Sequence, residues 1–305
     1  MRLITRCDSD GMACAVLLEE MGVVEKYKFV HPKIVQDGHI KVNDNDVLAN
    51  IPYAPGCGMW FDHHSTAIEH MKQENFEFDG ACRPAPSTAQ VIWDYYKGDN
   101  KFDSRYRLML DAVNRFDSGT LTREDVINPQ GWILICFLLD PRTGLGRFDD
   151  FRINSLRFVE NTIRYARRMK IEEILKIPDV QARVKRYFDQ QEAFIQMIEK
   201  CSEVRDNCIV INLLNEENIS PGNRFLSYVL YPKQNIEIRL MGTNKKNVVL
   251  SCGHSIFNRS SRTNVGSLME KYGGGGHIKV GTCQIAADRW EKVLEEIVEQ
   301  IQKDG

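Results

Sequence analysis

The residues Met59-Trp60-Phe61-Asp62-His63-His64-Ser65 decide how the first half of this chain is read, because an apolar strand, Met59 to Phe61, runs straight into an aspartate and two adjacent histidines. Working outward, Arg2 to Thr5, Tyr27 to His31 and Val47 to Asn50 also read as strands. Between the first two, Gly11 to Met21 carries Met12, Val16 and Leu17 at helical spacing with Glu19 and Glu20 outward. Ser87 is placed to cap a helix over Thr88 to Tyr96. Strands alternating with helices predict βαβ units around a parallel sheet. Acidic residues collect where the strands end: Asp8 and Asp10 after the first, Asp62 after the fourth. In open α/β sheets, ligands bind in the crevice at those strand ends.

At 305 residues the chain exceeds the size of one compact core, so two domains are expected. Ser155 to about Lys200 has helical spacing broken by Pro178 and reads as helices leading into a linker. The pattern then turns strand-like at Cys208 to Asn212, Ile236 to Met241, Val248 to Ser251 and Val280 to Ile285. Helical stretches intervene at Asn223 to Tyr231, Val265 to Lys271 and Asp288 to Gln302. We therefore expect an α/β metal-binding domain over residues 1–195, including the helical linker, and a smaller α/β domain over 200–305.

Hydrophobic residues make up 43% and charged residues 27% of the chain, values of an ordinary globular protein. Its longest apolar runs, Cys14 to Leu18 and Trp132 to Leu139, fall far below the roughly 20 residues that span a bilayer. No membrane partner and a cytoplasmic location are the expectation. The nine cysteines lack zinc-site spacing and disulfide density, so they read as reduced, mostly buried thiols. A formal net charge of −2 argues against general electrostatic attraction to long nucleic acid. A local arginine cluster can still hold a small phosphate-containing ligand.

Three motifs carry the chemistry. In Thr5-Arg6-Cys7-Asp8-Ser9-Asp10-Gly11, two carboxylates two residues apart can aim at one hard cation. The same aspartates can equally cap the following helix. In Asp62-His63-His64, a ring nitrogen can meet a metal while the aspartate orients a ring from behind. In Tyr272-Gly273-Gly274-Gly275-Gly276-His277, consecutive glycines each carry an entropic cost of up to about 1 kcal/mol. They suit a loop whose backbone N–H groups close around an anion.

In this order and at this separation, the three motifs resemble the DHH phosphoesterase superfamily, in the branch with a DHH-associated C-terminal (DHHA1) domain. The bacterial exopolyphosphatase-like group is the nearest in appearance. The resemblance spans essentially the whole chain and includes the aspartate of Arg115-Phe116-Asp117-Ser118. It implies a divalent-metal-dependent phosphohydrolase using Mn²⁺ or Mg²⁺, one or two per chain, with the active site in a cleft between the domains. Asp8 would ligate a first metal; Asp10, His63 and Asp117 would ligate a second. Asp62 and His64 would serve as orienting partner and as phosphate or water contact. Gly274, Gly275, Gly276 and His277 would hold the substrate from the second domain, with Arg224, Arg259 and Arg262 as phosphate contacts or ordinary surface arginines. Expected substrates are short single-stranded oligonucleotides, nucleoside bisphosphates, cyclic dinucleotides or polyphosphate, with a homodimer as the candidate assembly.

Two positions depart from the family pattern. Arg6 stands where a histidine is usual, and Asn50 where a bridging aspartate is usual. Both changes remove support from the first metal. This predicts that Arg6 takes the first metal's place, pairing with Asp8, while one ion sits on Asp10, His63 and Asp117. His31 and Asp37 are alternative ligands, although Asp37-Gly38 equally fits a turn. A competing reading from the same departures is a weakly active or inactive nucleotide-binding sensor of the same fold.

Overall fold

The computed structural model describes residues 1–305 except 74, 75, 77, 244 and 245. The chain divides into two compact units, Met1–Tyr187 and Phe188–Gly305. The first unit is built on a five-stranded sheet of order β2-β1-β3-β4-β5, with β1 Arg2–Thr5, β2 Lys26–Phe29, β3 Asp46–Ala49, β4 Met59–Asp62 and β5 Asp79–Cys82. All its pairings are parallel. Strands β3 and β4 are buried at every position, as expected where a parallel strand is covered on both faces.

Helices α1 (Ser9–Glu20), α2 (Pro32–Gln36), α3 (Ser65–Gln73), α4 (Thr88–Tyr95), α5 (Tyr106–Asp117), α6 (Arg123–Ile127), α7 (Gly131–Leu139), α8 (Ser155–Arg168), α9 (Ile171–Ile174) and α10 (Pro178–Asp189) follow in chain order. Helix α1 packs against α4, α5 and α8, which is why its residues from Ser9 to Leu18 are all buried. Each fully buried leucine there contributes about 1.5–3 kcal/mol.

Several elements differ from their sequence reading. Strand β2 stops short of His31 because that residue caps α2, its Nδ1 accepting from the Lys33 N–H. Strand β5, Asp79-Gly80-Ala81-Cys82, has no strand-like pattern. Its Gly80 lies at φ +121, where a Cβ would stand 2.2 Å from the Trp60 carbonyl oxygen, so close pairing with β4 demands glycine. Pro178 opens α10 instead of breaking a helix, consistent with proline's tolerance in a first turn. Gly11 is fixed by packing: a Cβ there would meet the Arg6 carbonyl at 2.1 Å.

The second unit carries α11 (Gln191–Cys201), β6 (Ser202–Arg205), β7 (Cys208–Asn212), α12 (Leu226–Leu230), β8 (Ile236–Thr243), β9 (Asn247–His254), α13 (Val265–Glu270), β10 (Gly275–His277), β11 (Val280–Ala286) and α14 (Trp290–Asp304). Its sheet runs β10-β11-β9-β8-β7-β6, parallel only between β7 and β8. Alternate residues of β9 and β11 turn inward. They meet Val293, Leu294, Ile297, Val298 and Ile301 of α14 in one core. The glycine run is not a free loop, since Gly275 to His277 pair with Val280 to Thr282.

All nine cysteines are free thiols; only Cys7 and Cys201 are not buried. Among the described residues no helix is long and apolar enough to cross a membrane.

The glycines of this run make separate demands. A Cβ on Gly274 would stand 2.2 Å from the Thr282 carbonyl oxygen and one on Gly276 2.2 Å from that of Val280, whereas one on Gly275 meets nothing within 4 Å. Gly274→Ala and Gly276→Ala should each destabilise by about 2 kcal/mol or more, lowering the melting temperature by roughly 5 °C. Gly275→Ala should leave it unchanged or higher. Equal melting of all three variants would contradict this.

Candidate active site

The sequence places Asp10 one residue inside α1, at the end of the first parallel strand. Its carboxylate is completely buried and is satisfied by the start of another helix. Oδ2 accepts the Thr88 N–H at 2.9 Å and Oδ1 the Ala89 N–H at 2.8 Å. These are the first free amides of α4, whose own cap is Ser87, so the helix terminus supports the negative charge. The Cys14 thiol lies 3.8 Å from Oδ1.

His63 leaves β4 and is only 13% exposed. Its Nδ1 lies 3.1 Å from the Ala85 carbonyl oxygen. A carbonyl can only accept, so Nδ1 bears the hydrogen and the neutral ring's lone pair is on Nε2. Nε2 stands 3.1 Å from Asp117 Oδ2 and 4.0 Å from Asp10 Oδ2. The Nε2 atom is itself buried, with the Asp117 carboxylate as its nearest charged neighbour. Asp117 is the last residue of α5.

The three ligand atoms lie within 4.8 Å of one another. Donors about 2.1 Å from a common ion in octahedral geometry are separated by roughly 3–4 Å, so the spacing fits a divalent cation. Two carboxylate oxygens and one imidazole suit Mn²⁺ or Mg²⁺ better than a thiolate-binding metal.

Without that ion the group is electrostatically tense. Burial, together with repulsion from Asp117, pushes the Asp10 pKa up to about 6. Burial opposes charge on His63, but Asp117 and Asp10 outweigh it and lift the ring to about 9. The Asp117 side chain is 33% exposed, and its contact with His63 outweighs desolvation and holds its carboxyl below the usual range.

Asp62, at the end of β4, orients His64. Its Oδ1 accepts His64 Nδ1 at 2.6 Å as well as the backbone N–H groups of His63 and His64. The His63 ring is instead turned by the Ala85 carbonyl. Asp8 combines both of its sequence readings. It caps α1 by accepting the Gly11 N–H at 2.9 Å and also accepts Asn50 Nδ2 at 3.1 Å, both on Oδ1. Its Oδ2 pairs with Arg6 Nε at 3.0 Å. Asn50 is buried in a left-handed conformation, φ 58. Burial raises the Asp8 pKa despite Arg6 and Gly11.

Other expected residues stand elsewhere. His31 caps α2, and Asp37 ends it with an ion pair to Lys33 at 2.9 Å; neither joins the Asp10–His63–Asp117 group. In the second unit, the Arg224 guanidinium covers the Phe225 ring at 3.9 Å, and Arg259 Nε donates to the Ile256 carbonyl. Arg262 Nε donates to the carbonyl of Asp304 at the end of α14. Arg262 lines a hollow of about 310 Å³ with Asn264, Lys271 and Asp304, which neither of the other two arginines lines. Gly275 and His277 lie on the short edge strand β10.

Sequence reasoning missed Ala85, the Thr88 and Ala89 amides, and Arg142, whose charge acts on both Asp8 and Asp117. The Pro84-Ala85-Pro86 segment was the available signal, since a residue before proline is held extended.

Comparison with solved structures gives the pGpG-specific phosphodiesterase PggH of Vibrio cholerae at 42% identity, covering 100% of this chain and 99% of that one, with a TM-score of 0.84. The chain belongs to the DHH superfamily. Two distant likenesses concern the fold alone. The DHH domain of PF0399, described as a member of the s1p family of ribosomal proteins, is 12% identical over 98% of this chain and 86% of its own (TM-score 0.55). RecJ from Thermus thermophilus, solved in complex with Mg²⁺, is 11% identical over 99% of this chain and 49% of its own (TM-score 0.50). No family model and no curated protein matches the sequence. The 42% identical DHH relative is a pGpG-specific phosphodiesterase, which moves the emphasis away from the exopolyphosphatase-like group expected from the motifs.

The raised His63 pKa fixes the sign of a pH dependence. Below about pH 9 the metal-free ring keeps a proton on the nitrogen a cation needs, so metal affinity should rise by up to about tenfold per unit between roughly pH 7 and 9 and level off above. Calorimetry of Mn²⁺ binding in buffers of different ionisation enthalpy should show about one proton released per ion. His63→Ala and Asp10→Ala should both lose the ion. Affinity independent of pH over this range would remove His63 as a ligand.

Proposed function

We propose that this chain is a divalent-metal-dependent phosphodiesterase that adds water across the internal phosphodiester of a short guanine dinucleotide such as pGpG, releasing two nucleoside monophosphates. The observation that carries the chemistry is the convergence of Asp10, His63 and Asp117, whose ligand atoms lie within 4.8 Å of one another. The substrate follows from the likeness to PggH over the whole chain.

Asp10, His63 and Asp117 would hold one Mn²⁺ or Mg²⁺. A divalent ion there lowers the pKa of water and offsets charge on the phosphoryl oxygens. Asp10 cannot swing away because two helix amides hold it. His64, backed by Asp62, is placed to pass a proton to or from the reacting oxygens. Arg6, tied at Nε to Asp8, directs its remaining donors at phosphoryl oxygens, where a charge-assisted contact strengthens as negative charge develops. Within the second unit, Gly275 leaves the backbone of β10 bare, which suits the approach of a nucleotide's phosphate.

One ion per chain also follows from charge. Asp8, Asp10 and Asp117 bring three negative charges; one divalent ion and Arg6 balance them, while the Arg142–Asp140 pair balances itself. A second ion would leave two uncompensated positive charges and would compete for Asp8 oxygens that Arg6 and Asn50 already occupy.

The decisive assay follows mononucleotide release from pGpG, with a cyclic dinucleotide, a nucleoside bisphosphate and polyphosphate as comparators, in Mn²⁺, Mg²⁺ or excess chelator. We expect metal-dependent turnover with pGpG preferred; undiminished hydrolysis in chelator would eliminate the mechanism. Gly275→Val should raise KM for pGpG without changing metal stoichiometry. Metal analysis should give about one ion per chain, rising towards two in the Arg6→His/Asn50→Asp double variant; two ions in the native protein would refute the replacement of a metal by Arg6.

A further inference from the structure

Helix α7 is the most apolar segment of the chain, buried from Trp132 to Leu139. Its last turn lies against the start of α1, where the Cys136 thiol sits beside Ser9. The segment that leaves it, Asp140-Pro141-Arg142-Thr143-Gly144, is therefore delivered next to the Asp8–Asp10 turn. Asp140 is 3% exposed and organises this segment. Its Oδ1 accepts the Arg142 backbone N–H at 3.0 Å and Arg142 Nε at 2.8 Å. The Thr143 hydroxyl donates to the Asp140 carbonyl at 2.8 Å, and Gly144 turns the chain away at φ 80.

The consequence is a guanidinium fixed along one edge and open along the other. The Arg142 side chain is 54% exposed. Among the described residues its Nη groups have no hydrogen-bond partner, although Asp8 and Asp117 both reinforce its charge. Arg6 is arranged in the same way: a carboxylate holds its Nε, and the side chain is 35% exposed. Two arginines held at Nε beside one cation site leave planar donor pairs suited to phosphate oxygens. Asp140 also caps the Pro141–Thr143 turn, so the same carboxylate fixes the backbone of the segment and the guanidinium it carries.

We propose that Arg142, positioned by the buried Asp140, is a phosphate-binding residue of this site and gives its free Nη groups to the non-bridging oxygens of the substrate's phosphoryl group. Asp140 is then a positioning residue. The inference rests on the phosphodiesterase reading for its substrate, but it concerns phosphate binding and is tested on that.

The test is the affinity of the Mn²⁺-loaded protein for inorganic phosphate, measured by calorimetry beside metal content and melting temperature. Arg142→Ala should weaken phosphate binding by about 10- to 100-fold, the usual effect of losing a hydrogen bond to a charged group. One ion should stay bound and melting should stay within a few degrees of the native value. Arg142→Lys, which keeps the charge without the planar fork, should fall between the two. Native-like phosphate affinity in Arg142→Ala would overturn the proposal, as would a native protein that binds no phosphate. If Arg142→Ala fails to fold, Arg142→Lys decides: binding several-fold weaker supports the proposal, and native binding overturns it. Turnover of pGpG by the native protein, measured separately, reports on the phosphodiesterase reading alone.

Discussion

The fully buried carboxylate of Asp10 organises the first unit. Removing the Asp10 charge from water is costly unless donors replace the lost hydration. The donors are the Thr88 and Ala89 amides, so α4 must begin against the first turn of α1. The stretch entering α4 is then fixed as well, and with it the Ala85 carbonyl that turns His63. One aspartate thus sets the orientation of a histidine from another strand through two backbone segments and no intervening side chain. Replacement hydrogen bonds compensate only in part, as the pKa of about 6 on Asp10 shows.

The partial compensation has chemical value. Asp10 and Asp117 repel each other and both draw a proton onto His63, so the metal-free group stores repulsion that a divalent ion relieves. A better-satisfied cluster would make a more stable protein and a poorer cation site. Asp8 is held by side chains as well as by an amide. Gly11, Asn50 and Arg6 already occupy the oxygens of its carboxylate, although burial still raises its pKa.

What was legible in the sequence follows from how local each signal is. The strands β1, β3 and β4 and helices α1 and α4 are written in apolar periodicity and in one serine cap, so they could be read directly. Strand β5 could not, because Asp79-Gly80-Ala81-Cys82 pairs through backbone alone and its glycine answers to Trp60. The candidate ligands Asp10, His63 and Asp117 are named by motifs, but what orients them is not. The Ala85 carbonyl and the two amides of α4 are main-chain groups that any residue carries. Arg142 was hidden for a related reason: nothing in its neighbourhood marks it until Asp140 is seen to be buried.

The glycine run shows how a motif separates once packing is known. Gly274 and Gly276 are required by neighbouring backbone, and Gly266 is too, since its Cβ would meet the Gly276 carbonyl at 2.8 Å. Those glycines would be needed in a protein that bound nothing. Gly275 differs, because among the described residues a Cβ there meets nothing within 4 Å and would not be forced into a left-handed backbone. The fold leaves that position free, so a substitution there separates ligand contact from packing, which substitutions at Gly274 or Gly276 cannot do.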